Sequence, residues 1–232
     1  MKVCLSTPNA YYRIGLTATP GKYGEVERGL LEGATGGIIY EIPLSQLIKD
    51  GFVAQPKVEI YVFNHSNNGW DDWRDAEKQG IIQNIKRCQF IADIVNFYKS
   101  RGETILVVCD KIEHAKNLLE FLPDSLYLDG QSSSKLRKEY VEQFESKENL
   151  VLITTLFKEG VDLRFQNIVI ASSSKKERTT IQKSARVLTA GKEFGRIIDI
   201  YDKDNSILER HSKARIRTYK KQQFPITYKR EI

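Results

Sequence analysis

The sequence predicts an α/β protein built on a doubly wound parallel sheet. From Thr104 onward short runs rich in β-branched residues recur: TILVVC, SLYL, NLVLITT, NIVIA and GRIIDIY. They are continuously apolar, as strands covered on both faces are. Amphipathic stretches such as KIEHAKNLLEFL and SSKLRKEYVEQF separate them, as crossover helices separate parallel strands. With 232 residues, 41% of them hydrophobic, the chain can bury one good core and a small appendage.

Taken in order, YYRIGL at 11–16 predicts a buried strand ending at the turn TATPG. The Gly-rich stretch YGEVERGLLEGATGG predicts a connection between domains. GIIYEI follows, then a helix in PLSQLIKDG with Pro43 in its first turn and Gly51 as its cap, then a strand in KVEIYVF. The polar segment SNNGWDDWRDAEKQG offers Asp71 or Asp72 as the cap of a helix over IIQNIKRCQFIADIVNFYKS. Trp70 and Trp73, in that acidic loop, are expected to pack locally rather than to stack on bases. After the strands and helices named above, a further helix is expected near 177–188. Three regions result: 1–54, a remnant of a preceding domain with a linker; 55–202, the α/β domain; and 203–232, a basic helix and tail.

The formal charge is +6, and all of it is local. From Lys203 to Ile232 nine Lys/Arg face three Asp/Glu, which leaves 27 residues of each sign before them. Arg210, Lys213, Arg217 and Lys220, spaced three, four and three apart, form one stripe along a helix and suit a polyanion such as nucleic acid. Cys4, Cys88 and Cys109 lie outside any metal-binding spacing and are expected to be reduced and mostly buried. His65, His114 and His211 are scattered and receive no chemistry. No apolar run is long enough for a signal peptide or a membrane span, so a cytoplasmic setting, in a host cell if the source is viral, is the expectation.

Three segments recur in an informative order: RIGLTATP at 13–20, ITTLFKEGVD at 153–162 and IQKSARVL at 181–188. Singly each is ordinary strand, turn or helix. Together with ILVVCDKIEHA at 105–115, YLDG at 127–130 and HSKARIRTYKKQQF at 211–224, the chain resembles the superfamily-two helicases, in wording nearest to the phage-type, UvsW-like branch. The resemblance implies the carboxyl-terminal one of two RecA-like domains. Its motif VI would place Arg186 on the phosphates of ATP as the transition-state finger, with Gln182 one turn away facing the same cleft. Motif V would turn Thr154 and Thr155 to the nucleic-acid backbone, and Gly160 and Asp162 to the nucleotide. Lys111 of motif IV would join the nucleic-acid side, and Thr17 and Thr19 of motif III would couple nucleotide state to domain movement.

ATP and Mg²⁺ are the implied substrate and metal, yet the sequence contains neither GxxxxGK[ST] nor an acidic DEAD or DEAH box. Lys22, in PGKYG, lacks the loop pattern. Magnesium is therefore expected on a first RecA-like domain supplied by another chain, and this chain has no metal site of its own to offer. Motif VI also departs: Ala185 stands where the family has Gly, and Thr189 where it has a second arginine, with Lys192 and Arg196 as the nearest replacements. The expected function is the second motor domain of an ATP-dependent DNA helicase or translocase acting on single-stranded or branched DNA, with RNA as the alternative strand. The chain alone is expected to be inactive. The competing expectation is a non-hydrolysing nucleic-acid-binding or regulatory protein on the same fold.

Overall fold

The computed structural model describes residues 9–16, 25–65, 69–70, 72–156, 163, 165–175 and 194–229, and the structural statements below concern these. Contacts divide the chain into two compact units, Met1–Gln46 and Leu47–Ile232.

In the first unit, residues 11–16 form no strand, contrary to expectation, and Tyr11, Tyr12, Ile14 and Leu16 are exposed. A strand needs a place in a sheet ladder, and residues 11–16 belong to none of the sheet pairings among the described residues. The Gly-rich stretch, expected to be a connection, instead contains helix α1 (Glu25–Thr35). Its two internal glycines each cost about 1 kcal/mol relative to Ala, so Gly29 and Gly33 masked the helical pattern. Gly36 ends the helix at φ +80, where its N–H donates to Glu32 O at 2.8 Å. Residues 37–42 are irregular and exposed. Helix α2 (Leu44–Lys49) leads to Gly51, whose φ of +75 suits a residue without a Cβ.

The second unit is a seven-stranded sheet in which every pairing is parallel. Its strands are β1 (Gln55–Asn64), β2 (Ile105–Val108), β3 (Leu126–Leu128), β4 (Val151–Thr154), β5 (Asn167–Ile170), β6 (Phe194–Lys203) and β7 (Ile226–Lys229), ordered β3-β4-β2-β5-β6-β1-β7. The fold is the RecA-like α/β fold expected from the sequence. All side chains of β2, β4 and β5 are buried, which is why these strands are continuously apolar.

Helices α4 (Ile85–Lys99), α5 (Ile112–Leu119), α6 (Ser134–Glu145) and α7 (Ser206–Lys221) connect or cover the strands. Cys88, Ile91, Ala92 and Val95, on one face of α4, pack with Ile105, Val107, Val151, Ile153, Val169 and Ile198 of the sheet. Asn84, Ser133 and Asn205 cap α4, α6 and α7 by accepting backbone N–H bonds in their first turns.

The helix expected to run on from Ile81 is divided. Asp72 caps a single turn, α3 (Trp73–Asp75), which widens into a π-helix over Ala76–Ile82 before α4 starts afresh at its own cap. Trp70 and Trp73 pack there against Ala76, Ile81, Ile207 and Leu208. The basic tail is integrated with the sheet: α7 follows β6, and β7 pairs with β1 from Val58↔Ile226 to Tyr61↔Lys229.

Candidate nucleotide and nucleic-acid edge

Parallel strands β3, β4 and β2 lie side by side, so their carboxyl ends form one edge. Ligands of doubly wound sheets bind outside such an edge. Thr154 and Thr155 close β4 there, but they are not equivalent. The Thr154 hydroxyl is buried, donates to Leu128 O at 2.9 Å and accepts from Leu156 N–H at 2.9 Å. Its hydrogen-bonding capacity serves the β3–β4 junction. Thr155 is half-buried and its N–H donates to Leu128 O at 3.2 Å, so its side chain is the more accessible of the two.

Lys111 sits just past the end of β2, exposed, as the residue before α5. On the far side of β4, Asp129 follows β3 in a tight turn, its carboxylate accepting from the N–H groups of Gln131 and Ser132 at 2.9 and 3.1 Å and from the Tyr127 hydroxyl at 2.9 Å. Burial alone would raise the Asp129 pKa, but these donors hold it below the usual carboxylate range. Thr17, Thr19, Gly160, Asp162, Gln182 and Arg186 lie outside the described residues.

Helix α7 displays Arg210, Lys213, Arg217 and Lys220 at its exposed positions. Lys213 shares its charge with Glu209 at 2.6 Å, and that bond, with one from the Tyr201 hydroxyl, lowers the Glu209 pKa. Arg215 faces the other way and is 2% exposed. Its guanidinium donates to Asp199 Oδ2 at 2.9 Å and Ile200 O at 2.8 Å, while the Tyr219 hydroxyl donates to the same carboxylate at 2.7 Å. Burial opposes the charge on Arg215, yet the Asp199 carboxylate beside it drives its pKa up.

A second buried carboxylate, Asp202, lies three residues further along β6. Asp202 accepts from Arg87 Nε at 2.7 Å, lies 3.0 Å from His65 Nε2 and accepts from the Ser173 hydroxyl at 3.3 Å. Burial would raise its pKa, but Arg87 above all, then His65, holds it far below the usual range. Arg87 also donates to Ala171 O at 2.8 Å, and His211 Nδ1 lies 3.0 Å from Ser173 O. Because a carbonyl only accepts, His211 carries its proton on Nδ1. The network therefore joins the segment after β5 to β1, β6, α4 and α7. None of its members was singled out from sequence. The available signal was Asp199 and Asp202 inside the apolar run of β6, since a carboxylate buried in a strand must be paired.

Arg196, one of the two replacements considered for the missing motif VI arginine, is at the opposite edge of the sheet. It donates to Glu59 at 3.1 Å and to Glu103 at 2.6 Å, also contacts Asn167, and stacks over Tyr98 at 4.6 Å. At the amino-terminal ends of β1, β5 and β6 it is remote from the edge where β4 ends. Among the described residues no group of His, Cys, Asp and Glu could hold a metal ion, and no helix is long and apolar enough to cross a membrane.

This sheet and this edge define a doubly wound α/β domain with a ligand-accessible carboxyl edge. Residues 86–191, just under half of the chain, match the family model of the helicase conserved C-terminal domain. Among solved structures the chain is similar to a fragment of a putative HsdR subunit of a type I restriction enzyme from Vibrio vulnificus YJ016, at 22% identity and a TM-score of 0.69 over 97% of this chain and 45% of that one. It is similar to T4 UvsW at 16% identity and a TM-score of 0.61, covering 77% of this chain and 42% of that one. The E. coli DEAD-box protein SrmB, bound to regulator of ribonuclease activity A, aligns at 15% identity and a TM-score of 0.53 over 75% and 91% of the two chains. These likenesses carry the fold, and the chain spans less than half the length of the HsdR fragment and of UvsW. No curated protein matches its sequence.

Proposed function

We propose that this chain is the second motor domain of an ATP-dependent DNA helicase or translocase of the superfamily-two kind, in its phage-type, UvsW-like branch. The observation that supports this reading is that β4, the strand read as motif V, ends at Thr154 and Thr155 on the carboxyl edge of a parallel sheet, within residues that match the helicase C-terminal model. Thr155 and Lys111 on that edge, with the exposed cations of α7, would follow a strand backbone through phosphate contacts that read no sequence.

Arg186 would stabilise charge on the transferring phosphoryl group of ATP, with Gln182 beside it and Gly160 and Asp162 against the nucleotide. Guanidinium stays charged and its donors match phosphate oxygens, a contribution worth roughly a thousandfold or more in rate. Thr17 and Thr19 would couple that state to domain movement. The sequence carries neither a phosphate loop nor an acidic box, so the phosphate loop and the metal would come from a first RecA-like domain. The test is to mix the chain with such a domain and to measure DNA-stimulated ATP hydrolysis. Stimulation that falls roughly a thousandfold in Arg186→Ala supports the motor; no stimulation, with the variant equal to wild type, rejects it.

One observation favours the non-hydrolysing reading. Arg196 is bound to Glu59 and Glu103 on the far edge, so it is not free to stand in for the arginine missing at Thr189.

A further inference from the structure

A cleft of about 240 Å³ is lined by Lys175, Ala214, Arg217, Thr218 and Lys221. That space is ample for a phosphate group with part of its hydration. Positions 214, 217, 218 and 221 repeat at helical spacing, so one face of α7 forms one wall. Ala214 keeps that wall concave, and Arg217 and Lys221 flank it. Lys175, five residues beyond the end of β5 at Ile170, forms the other wall. Among the described residues the lining contains three cations and no carboxylate.

The two walls are fixed to each other from beneath. Ser173, two residues before Lys175, bonds through its carbonyl to His211 at 3.0 Å, and its hydroxyl accepts from Arg215 at 3.4 Å and donates to Asp202 at 3.3 Å. The cation from β5 is thus tethered to the helix that presents the other two. Burial first, then the positive charges of Lys175, Arg215 and Arg210, depress the His211 pKa against the bond to Ser173, consistent with positive potential gathered at this place. The stripe foreseen along α7 is broken at Lys213 by Glu209, whereas the cleft takes Arg217 from that stripe and adds Lys175 and Lys221.

We propose that the cleft between the segment after β5 and helix α7 is an anion site that grips a phosphate through Lys175, Arg217 and Lys221, separate from the β4 edge. This deepens the strand-binding part of the proposed function, which supplies the phosphodiester as the ligand; a free polyphosphate offers the same chemistry. All three cations are exposed, so replacing them leaves the core intact.

The test compares the full chain with a cleft variant, Lys175→Gln/Arg217→Gln/Lys221→Gln, and a stripe variant, Arg210→Gln/Lys213→Gln/Lys220→Gln. The probes are inorganic pyrophosphate, followed by NMR at the Thr218 and Lys175 amides, and a labelled single-stranded oligonucleotide, followed by anisotropy across a salt series. Pyrophosphate should shift both amides in the wild type and the stripe variant but not in the cleft variant. Each phosphate contact on a single strand contributes about 0.7 to the slope of log K against log salt, so the cleft variant should be flatter by about 2.

If the cleft variant loses the pyrophosphate response but keeps its oligonucleotide slope, the anion site stands with a free phosphate compound as ligand. If no form binds the oligonucleotide while pyrophosphate still shifts the amides, strand binding fails and the anion site stands. The inference is overturned if pyrophosphate leaves both amides unmoved, or shifts them equally in the cleft variant; flattening confined to the stripe variant would then leave the strand-binding reading in place without it.

Discussion

Arg215 and Asp199 form a buried pair through a bifurcated bond, Arg215 Nε lying 2.9 and 3.1 Å from the two carboxylate oxygens with both side chains 2% exposed. The pair fastens α7 to β6, and the Tyr219 hydroxyl completes the carboxylate's bonds. Removing one partner leaves the other charge buried and uncompensated, which costs about 3–5 kcal/mol. Arg215→Ala should therefore lower the urea midpoint steeply. An unchanged midpoint would show that α7 is held by its apolar contacts alone.

Acid should weaken the fold in two steps. His211 has a folded pKa below its ordinary 6.5, so the unfolded chain binds the proton first and stability falls as pH drops below about 6.5. Asp202 also has a lowered folded pKa, so its contribution is complete above about pH 4 and is lost as pH falls towards the folded value. Urea midpoints between pH 7 and pH 5 should decline in the wild type and decline less in His211→Gln. Equal slopes in the two proteins would remove His211 from this account.

Gly80 lies where a Cβ would come within 2.6 Å of the Trp70 ring and 2.8 Å of Leu208. The indole rests on the π-helix because that position has no side chain, and its Nε1–H donates to Gln79 at 3.1 Å. Gly80→Ala should displace Trp70 and destabilise the protein by about 1–3 kcal/mol, with altered tryptophan emission. Wild-type stability together with unaltered emission would contradict this packing.

Thr154 and Thr155 should separate structure from binding. Thr154→Val removes a hydroxyl bonded to Leu128 O and Leu156 N–H and should cost about 1–3 kcal/mol. Thr155→Val should keep the fold and weaken single-stranded DNA binding. Loss of stability in the second variant, with unaffected binding, would remove Thr155 from the proposed strand contacts.

The fold class was legible because β2, β4 and β5 are buried on both faces, and such strands must be apolar at every position whatever surrounds them. Helix α7 was legible at its exposed face, where Arg210, Lys213, Arg217 and Lys220 repeat at helical spacing. The same rule misled at residues 11–16, since an apolar run specifies a strand only when a neighbour accepts its backbone bonds. Likewise, glycines that lower helix propensity concealed α1.

The sequence by itself determined the doubly wound sheet and helices α2 and α4 to α7, which depend on local periodicity. Only the tertiary structure decided what the tail's charges do. Arg215 is spent inside on Asp199, Lys213 is shared with Glu209, and Arg217 and Lys221 meet Lys175 across a cleft. It also decided that Arg87 and Asp202, 115 residues apart, hold the base of the same segment. Such pairings arise when strands and helices pack, and spacing along the chain carries no record of them.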